Sequence, residues 1–310
     1  MLDPIIDGLY QLHTPFFGIP LWLYVVEGSK GVLIDSGIST TPGEYILPAF
    51  NDAQLTPELL ICTHGHVDHF GGNAAIRAQY PHIQIAIHET DVAWAEDHER
   101  HLHEMYMCMP QSWQYADGGK EFLELCGPNS AIDIHLCDGQ QLDLGDFNFT
   151  VVHSAGHCPG HIMLHDSRRG VVICGDVALG WGAEAPGQPI VYPYYYDPAL
   201  YLAGIATALA LHGEIYCNGH SGVLSYDDMK ILAEKSIDAV RSLERWSLEA
   251  LDKDEPRSLT DIVHRVVEHL PNYEVGFHLH ASTQAHLLKH CGRGRARAVM
   301  VNENKHYLSL

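Results

Sequence analysis

Residues 63–72, THGHVDHFGG, constrain this chain more than any other stretch. They place His64, His66, Asp68 and His69 within six residues, directly after the apolar run LLIC. Imidazole and carboxylate are the donors that zinc and other borderline divalent metals prefer. A loop this short cannot bring all four to one ion. Alternation sends His64 and His66 one way and Asp68 and His69 the other, so two ions side by side are the natural solution. Gly71 and Gly72 are expected to permit a tight turn and a close backbone approach.

Matching partners follow on separate apolar runs: His157 in SAGHCPGH, Asp176 in VVICGD and His220 in YCNGH, each preceded by glycine. A merely solvated histidine-rich loop would need no such partners. Sites of layered α/β proteins gather at strand ends, where loops converge on one edge.

The pattern around these residues is mixed. LWLYVVEG and GVLIDSG read as a hairpin, and a helix is expected near 42–50. GGNAAIRAQY opens a helix and IQIAIH is a strand; FNFTVVH, IMLHD, GVVICGD and GEIYCNGH continue the strands. This alternation predicts an α/β layered core. Residues 90–126 interrupt it with a helical insertion rich in Met and aromatics, a candidate lid or dimer surface. After residue 222 helices take over, with Ser225 and Asp228 as a capping box and Ser258 as an N-cap. The division expected is a catalytic domain over 1–224 and a mainly helical extension over 225–310, ending in a hairpin.

Composition narrows the function. With 39 acidic and 18 basic residues in 310, the formal net charge is -21. Nucleic-acid binders usually present a basic face, so a nucleic-acid partner is disfavoured; RGRAR, 293–297, reads as a solvated turn. No run approaches the ~18 apolar residues of a membrane span. Eight Cys without a C-x-x-C pair, several in apolar runs, suit small core hydrophobes in a reducing compartment, and a cytoplasmic location is expected. Of the 23 His, those outside the motif read as solvated or core-satisfied, including the helical His98 and His101 and the pair His278 and His280, which alternate along an extended stretch.

The ordered motifs resemble the metallo-β-lactamase superfamily over roughly residues 20–222. The resemblance implies a four-layer αββα sandwich with a helical C-terminal extension. It implies one metal held by His64, His66 and His157, a second by Asp68, His69 and His220, and Asp176 bridging them, with Asp68 and Asp176 serving catalysis. Asp35 in LIDSG and His161 would support the ligands from behind. Zinc fits this donor set best; iron and manganese fit it as well. The aromatic loop and C-terminal helices are similar, less specifically, to the quinolone-signal response thioesterase group.

The expected activity is hydrolysis by a metal-bridging hydroxide. The loop over 177–197 should cross the site; it carries Trp181, Tyr192, Tyr194 and Tyr195 as candidate substrate contacts and no Lys or Arg. An apolar wall of this kind suits a small acyl substrate, whether thioester, ester or lactone. The alternatives are a phosphodiesterase or ribonuclease of the same fold, and a ligand-binding regulatory protein with incidental hydrolysis.

Overall fold

A computed structural model describes residues 1–28, 31–107, 118–302 and 304–310. Two sheets face each other. The first runs in the order β1 (Asp3–Ile6), β2 (Leu9–His13), β3 (Trp22–Val26), β4 (Gly31–Ile34), β5 (Pro57–Ile61), β6 (Gln84–His88) and β7 (Ile134–Leu136). Its first half is antiparallel and β4 through β7 are parallel. The second runs β13 (Gly222–Ser225), β12 (Ile215–Asn218), β11 (Val171–Gly175), β10 (Ile162–Asp166), β9 (Asn148–His153) and β8 (Gln141–Asp143). A small third sheet holds β14 (Arg257–Ser258), β15 (Ala296–Val301) and β16 (Asn304–Ser309), the last two forming the expected hairpin.

Strand alternation explains the layering. Side chains two residues apart share a face. Val32, Ile34, Ile162, Leu164, Val171 and Ile173 therefore meet in the core between the sheets. Their neighbours Leu33, Met163, Val172 and Cys174 point outward into two further cores. The outer face of the first sheet is covered by α1 (Leu47–Ala53), α2 (Val67–Phe70), α3 (Asn73–Gln79), α4 (Val92–Glu96), α5 (His98–His101) and α6 (Lys120–Cys126), which supply Phe50, Phe70, Ile76 and Phe122. The outer face of the second is covered by α7 (Pro198–Ala210), α8 (Tyr226–Glu249), α9 (Leu259–Val266) and α10 (Phe277–Gly292), through Ile205, Val240, Leu243, Ile262 and Leu287. Fully burying each such side chain contributes roughly 1.5–3 kcal/mol. The αββα architecture is thus as expected, with helices in the C-terminal region. Both expected caps are present, and Ser258 also forms a capping box, with Asp261.

One local expectation is corrected. His278 and His280 lie in the first turn of α10, not in an extended stretch, because the helix starts at Phe277. Gly71 and Gly72 make the expected turn between α2 and α3, with the backbone angles of a type I turn. The expected close approach is present too, at Gly72, where a Cβ would collide with the Ser36 carbonyl oxygen. Of the Met- and aromatic-rich segment, residues 108–117 lie outside the described residues.

Candidate metal centre

The C-terminal ends of five strands deliver the candidate residues. Asp35 follows β4, the 63–70 loop follows β5, His157 follows β9, Asp176 follows β11 and His220 follows β12. His66 is still extended and α2 begins at Val67. This change of backbone turns Asp68 and His69 away from His64 and His66, so the separation comes from a helix start and not from strand alternation.

Three groups of donors lie close enough to hold an ion: His64, His66 and His157; Asp68, His69 and His220; and His64, His69 and Asp176. Asp176 joins them. Its Oδ2 is 3.1 Å from Nε2 of His220, 3.4 Å from that of His69, 3.5 Å from that of His157 and 4.0 Å from that of His64. His220 Nε2 is also 3.4 Å from Asp68 Oδ2.

The rings are aimed from behind. Nδ1–H of His157 donates to the Tyr194 carbonyl (2.8 Å), that of His220 to the Pro20 carbonyl (2.8 Å) and that of His69 to Asp35 Oδ2 (2.9 Å). Carbonyl and carboxylate oxygens only accept, so these bonds hold the proton on Nδ1 and leave Nε2 of each ring facing the cluster. Asp35 also accepts from the Thr63 amide (2.6 Å) and Thr63 Oγ1 (2.9 Å). It does so from a left-handed backbone with φ 63°, a conformation Asp tolerates better than most residues. His161 does not join the cluster. Its Nε2 accepts the Asp176 amide (3.0 Å), so its Nδ1–H goes to Ser154 Oγ (2.7 Å).

The protonation pattern divides the cluster. Burial, then the neighbouring imidazoles, hold His64 and His66 well below the usual histidine range. Burial acts the same way on His69 and His220, but carboxylates overcome it. Asp68, Asp176 and Asp35 hold His69 well above its usual range, and Asp176 and Asp68 push His220 up to about 10. Burial would raise Asp176; His220 and His69 instead hold it well below the carboxylate range. The cluster is built around positive charge. Divalent ions fit it on a further observation: Nε2 of His66 and of His157 and Oδ1 of Asp176 are buried without a hydrogen-bond partner. Each such orphan costs ~1–3 kcal/mol unless something is bound to it.

A cavity of about 880 Å³ opens over the cluster, with His66, Asp68, His157, Asp176 and His220 in its floor. Phe16, Phe17 and Ile19 form one wall, and Met105, Tyr106, Phe122 and Leu125 from the insertion form another. Of the aromatic loop, Tyr192 and Tyr194 line the cavity, while Trp181 and Tyr195 do not. Tyr195 is 0% exposed, its hydroxyl paired with His286 Nε2 (2.9 Å), and Trp181 packs toward Trp246. Tyr194 stands edge-on to His66 and His157. No Lys or Arg lines the cavity among the described residues.

Sequence reasoning missed His278. From the first turn of α10 it lines the cavity, and burial pushes its imidazole down to about 4 although Asp68 pulls the other way. The signal available was the helical continuity of FHLHASTQAHLL, which puts His278 one turn before Ser282.

The metallo-β-lactamase superfamily model matches residues 16–220, and the chain belongs to that superfamily. It is similar to acyl-coenzyme A thioesterase MBLAC2 of Homo sapiens, 28% identical over 195 residues, or 55% of this chain and 63% of that protein. It is also similar to hydroxyacylglutathione hydrolase GloC of Haemophilus influenzae, 26% identical over 50% of this chain and 65% of that protein. The chain thus spans less than two thirds of the length of these relatives. A metallo-β-lactamase family protein from Thermus thermophilus shares the fold with a TM-score of 0.79 at 18% identity, covering 99% of this chain and all of that one. No described helix is long and apolar enough to cross a membrane.

Proposed function

We propose that this hydrolase-superfamily chain is a metal-dependent acyl hydrolase that cleaves a thioester, ester or lactone. The observation that carries the reading is the lining of the cavity: among the described residues a mainly aromatic and aliphatic wall, with Glu121, Gln188 and Glu274 but no Lys or Arg, over the His/Asp cluster. A phosphodiester pocket would want basic groups there. The similarity to an acyl-coenzyme A thioesterase and to a hydroxyacylglutathione hydrolase supports the same class.

In this reading His64, His66 and His157 hold one divalent ion, Asp68, His69 and His220 hold the second, and Asp176 serves both. Zinc is the first choice. When bound, two such ions activate water at neutral pH and polarise the substrate carbonyl. The chain supplies the rest. Asp35 and the carbonyls of Tyr194 and Pro20 keep the imidazoles aimed. Phe16, Phe122, Tyr194 and their neighbours bind the acyl group and exclude water. His278, neutral at pH 7, presents a hydrogen-bond donor to a substrate oxygen. Residues 1–224 carry the chemistry and 225–310 contribute the α10 wall.

The test is a paired initial-rate assay on zinc-reconstituted protein, comparing a fatty acyl thioester with a bis-aryl phosphodiester, each with and without chelator. Chelator-sensitive thioester turnover well above phosphodiester turnover is expected. The reverse ranking would sink the substrate assignment, and turnover on neither would favour a ligand-binding role.

A further inference from the structure

We infer that Asp91 is a positioning residue that holds the 63–70 and 154–161 loops at the spacing the His64, His66 and His157 set requires. The inference rests on the metal-centre reading above.

Asp91 follows β6 and is 0% exposed. Its two oxygens serve both loops. Oδ2 accepts the Gly65 amide at 2.8 Å and the Cys158 thiol at 3.1 Å; Oδ1 accepts the Gly160 amide at 2.7 Å. Gly65 stands between His64 and His66, and Cys158 directly follows His157. Each contact is therefore within three residues of a candidate ligand, and two are adjacent to one. The loops come from different sheets, so one buried carboxylate ties the sheets together beneath the cluster.

The neighbours are shaped for this contact. A Cβ at Gly160 would lie 2.4 Å from Asp91 Cγ, and one at Gly65 3.0 Å from Oδ2. Asp91 is itself pinned, its amide donating to the His88 carbonyl and its carbonyl accepting from the amides of Trp94 and Ala95. The two sheets are also joined at this point by a bond from the Ile162 amide, at the start of β10, to the Thr63 carbonyl at 2.9 Å. With that bond in place, loss of Asp91 lets the ligand ends turn while the sheets stay docked.

The second donor set is held by other means. Asp35 anchors His69, and the Pro20 carbonyl anchors His220. Asp91 touches neither. Its loss should therefore weaken one metal site and spare the other, which a general loss of stability would not do.

The experiment uses the full chain as wild type, Asp91→Asn, Cys158→Ala and His220→Ala. Metal-free protein is titrated with Co(II) against a chromogenic chelator, and the visible cobalt absorption of each step is recorded. Asparagine cannot accept at both oxygens, so Asp91→Asn is expected to weaken one site by ~10–100-fold and leave the other within about threefold. Cys158→Ala keeps both amide bonds and should weaken the same site by about threefold; it decides the matter if Asp91→Asn does not fold. His220→Ala, which removes a donor of the second set alone, should weaken the opposite site. The inference is overturned if Asp91→Asn and Cys158→Ala leave both affinities unchanged, if they lower both equally, or if Asp91→Asn and His220→Ala act on the same site. Uptake of fewer than two ions by the wild type would overturn the metal-centre reading itself, and the inference with it.

Discussion

Nδ1 of His69 lies 2.9 Å from Oδ2 of Asp35, and that same oxygen accepts the Thr63 hydroxyl at 2.9 Å. Asp35 thus fixes both the tautomer of His69 and the start of the loop that carries it. Carboxylate partners of ligating imidazoles typically matter 10–100-fold in metal affinity. Asp35→Ala is expected to drop the metal content after dialysis from about two ions toward one per chain, read by elemental analysis. Retention of both ions would remove Asp35 from the site.

Tyr194 and Tyr195 are adjacent in sequence and opposite in role. The Tyr194 ring faces the cavity, and its bond to His157 comes from the backbone carbonyl, which a side-chain change leaves in place. Tyr194→Ala should lower kcat/KM on an acyl substrate by about 10-fold, equivalent to ~1.4 kcal/mol, at unchanged metal content. Tyr195→Phe should do the reverse. It strips His286 of the hydroxyl partner of Nε2, and Nδ1 already has none. A buried group left unsatisfied costs ~1–3 kcal/mol, so the melting temperature falls while kcat stays near wild type. A Tyr195→Phe enzyme with lowered kcat and normal stability would contradict the assignment.

The sequence made the cluster readable because metal donors must come from few residue types at strand ends, and H-x-H-x-D-H concentrates four of them. His157, Asp176 and His220 were legible for the same reason: each follows an apolar strand within a few residues. The supports were not. Asp91 carries no motif, and its function appears only when β6 and the loop after β9 are brought together in space. The aromatic loop was legible as a wall but not residue by residue, because a run such as YPYYYD does not state which rings face inward. Tyr195 turned away because His286, 91 residues later, meets its hydroxyl. His278 was misread because histidines two apart mimic strand alternation, whereas the continuous helix around them settles the backbone.

His278 reaches the cavity from outside the span matched by the family model, which ends at residue 220. Its role is proposed as a hydrogen bond to substrate, not to metal. His278→Ala should lower kcat/KM by about 10-fold, the value of one such bond, without changing metal content. His278→Gln, which keeps a donor, should recover part of the loss. Equal loss in both variants, or loss of an ion, would show that the ring acts otherwise.

Glu244 offers a test of how the C-terminal helices are held. From α8 its carboxylate lies 2.8 Å from Arg295, 3.1 Å from Arg293 and 3.5 Å from Lys289, so one acid ties α8 to the end of α10 and the start of β15. Burial would raise its pKa; the Arg295 hydrogen bond and the Lys289 charge instead bring it to about 2. An unfolded Glu titrates near ~4.3. A folded pKa below the unfolded one means stability that is fully present above ~4.3 and is lost as pH falls through about 2. Glu244→Gln should therefore destabilise the protein at pH 7, by ~1 kcal/mol once solvent screening of a partly exposed network is allowed for. In urea melts the gap between variant and wild type should be constant from pH 7 to 5, shrink below ~4.3, and narrow at high salt. A gap that is the same at pH 3 as at pH 7 would mean that Glu244 contributes packing and not charge.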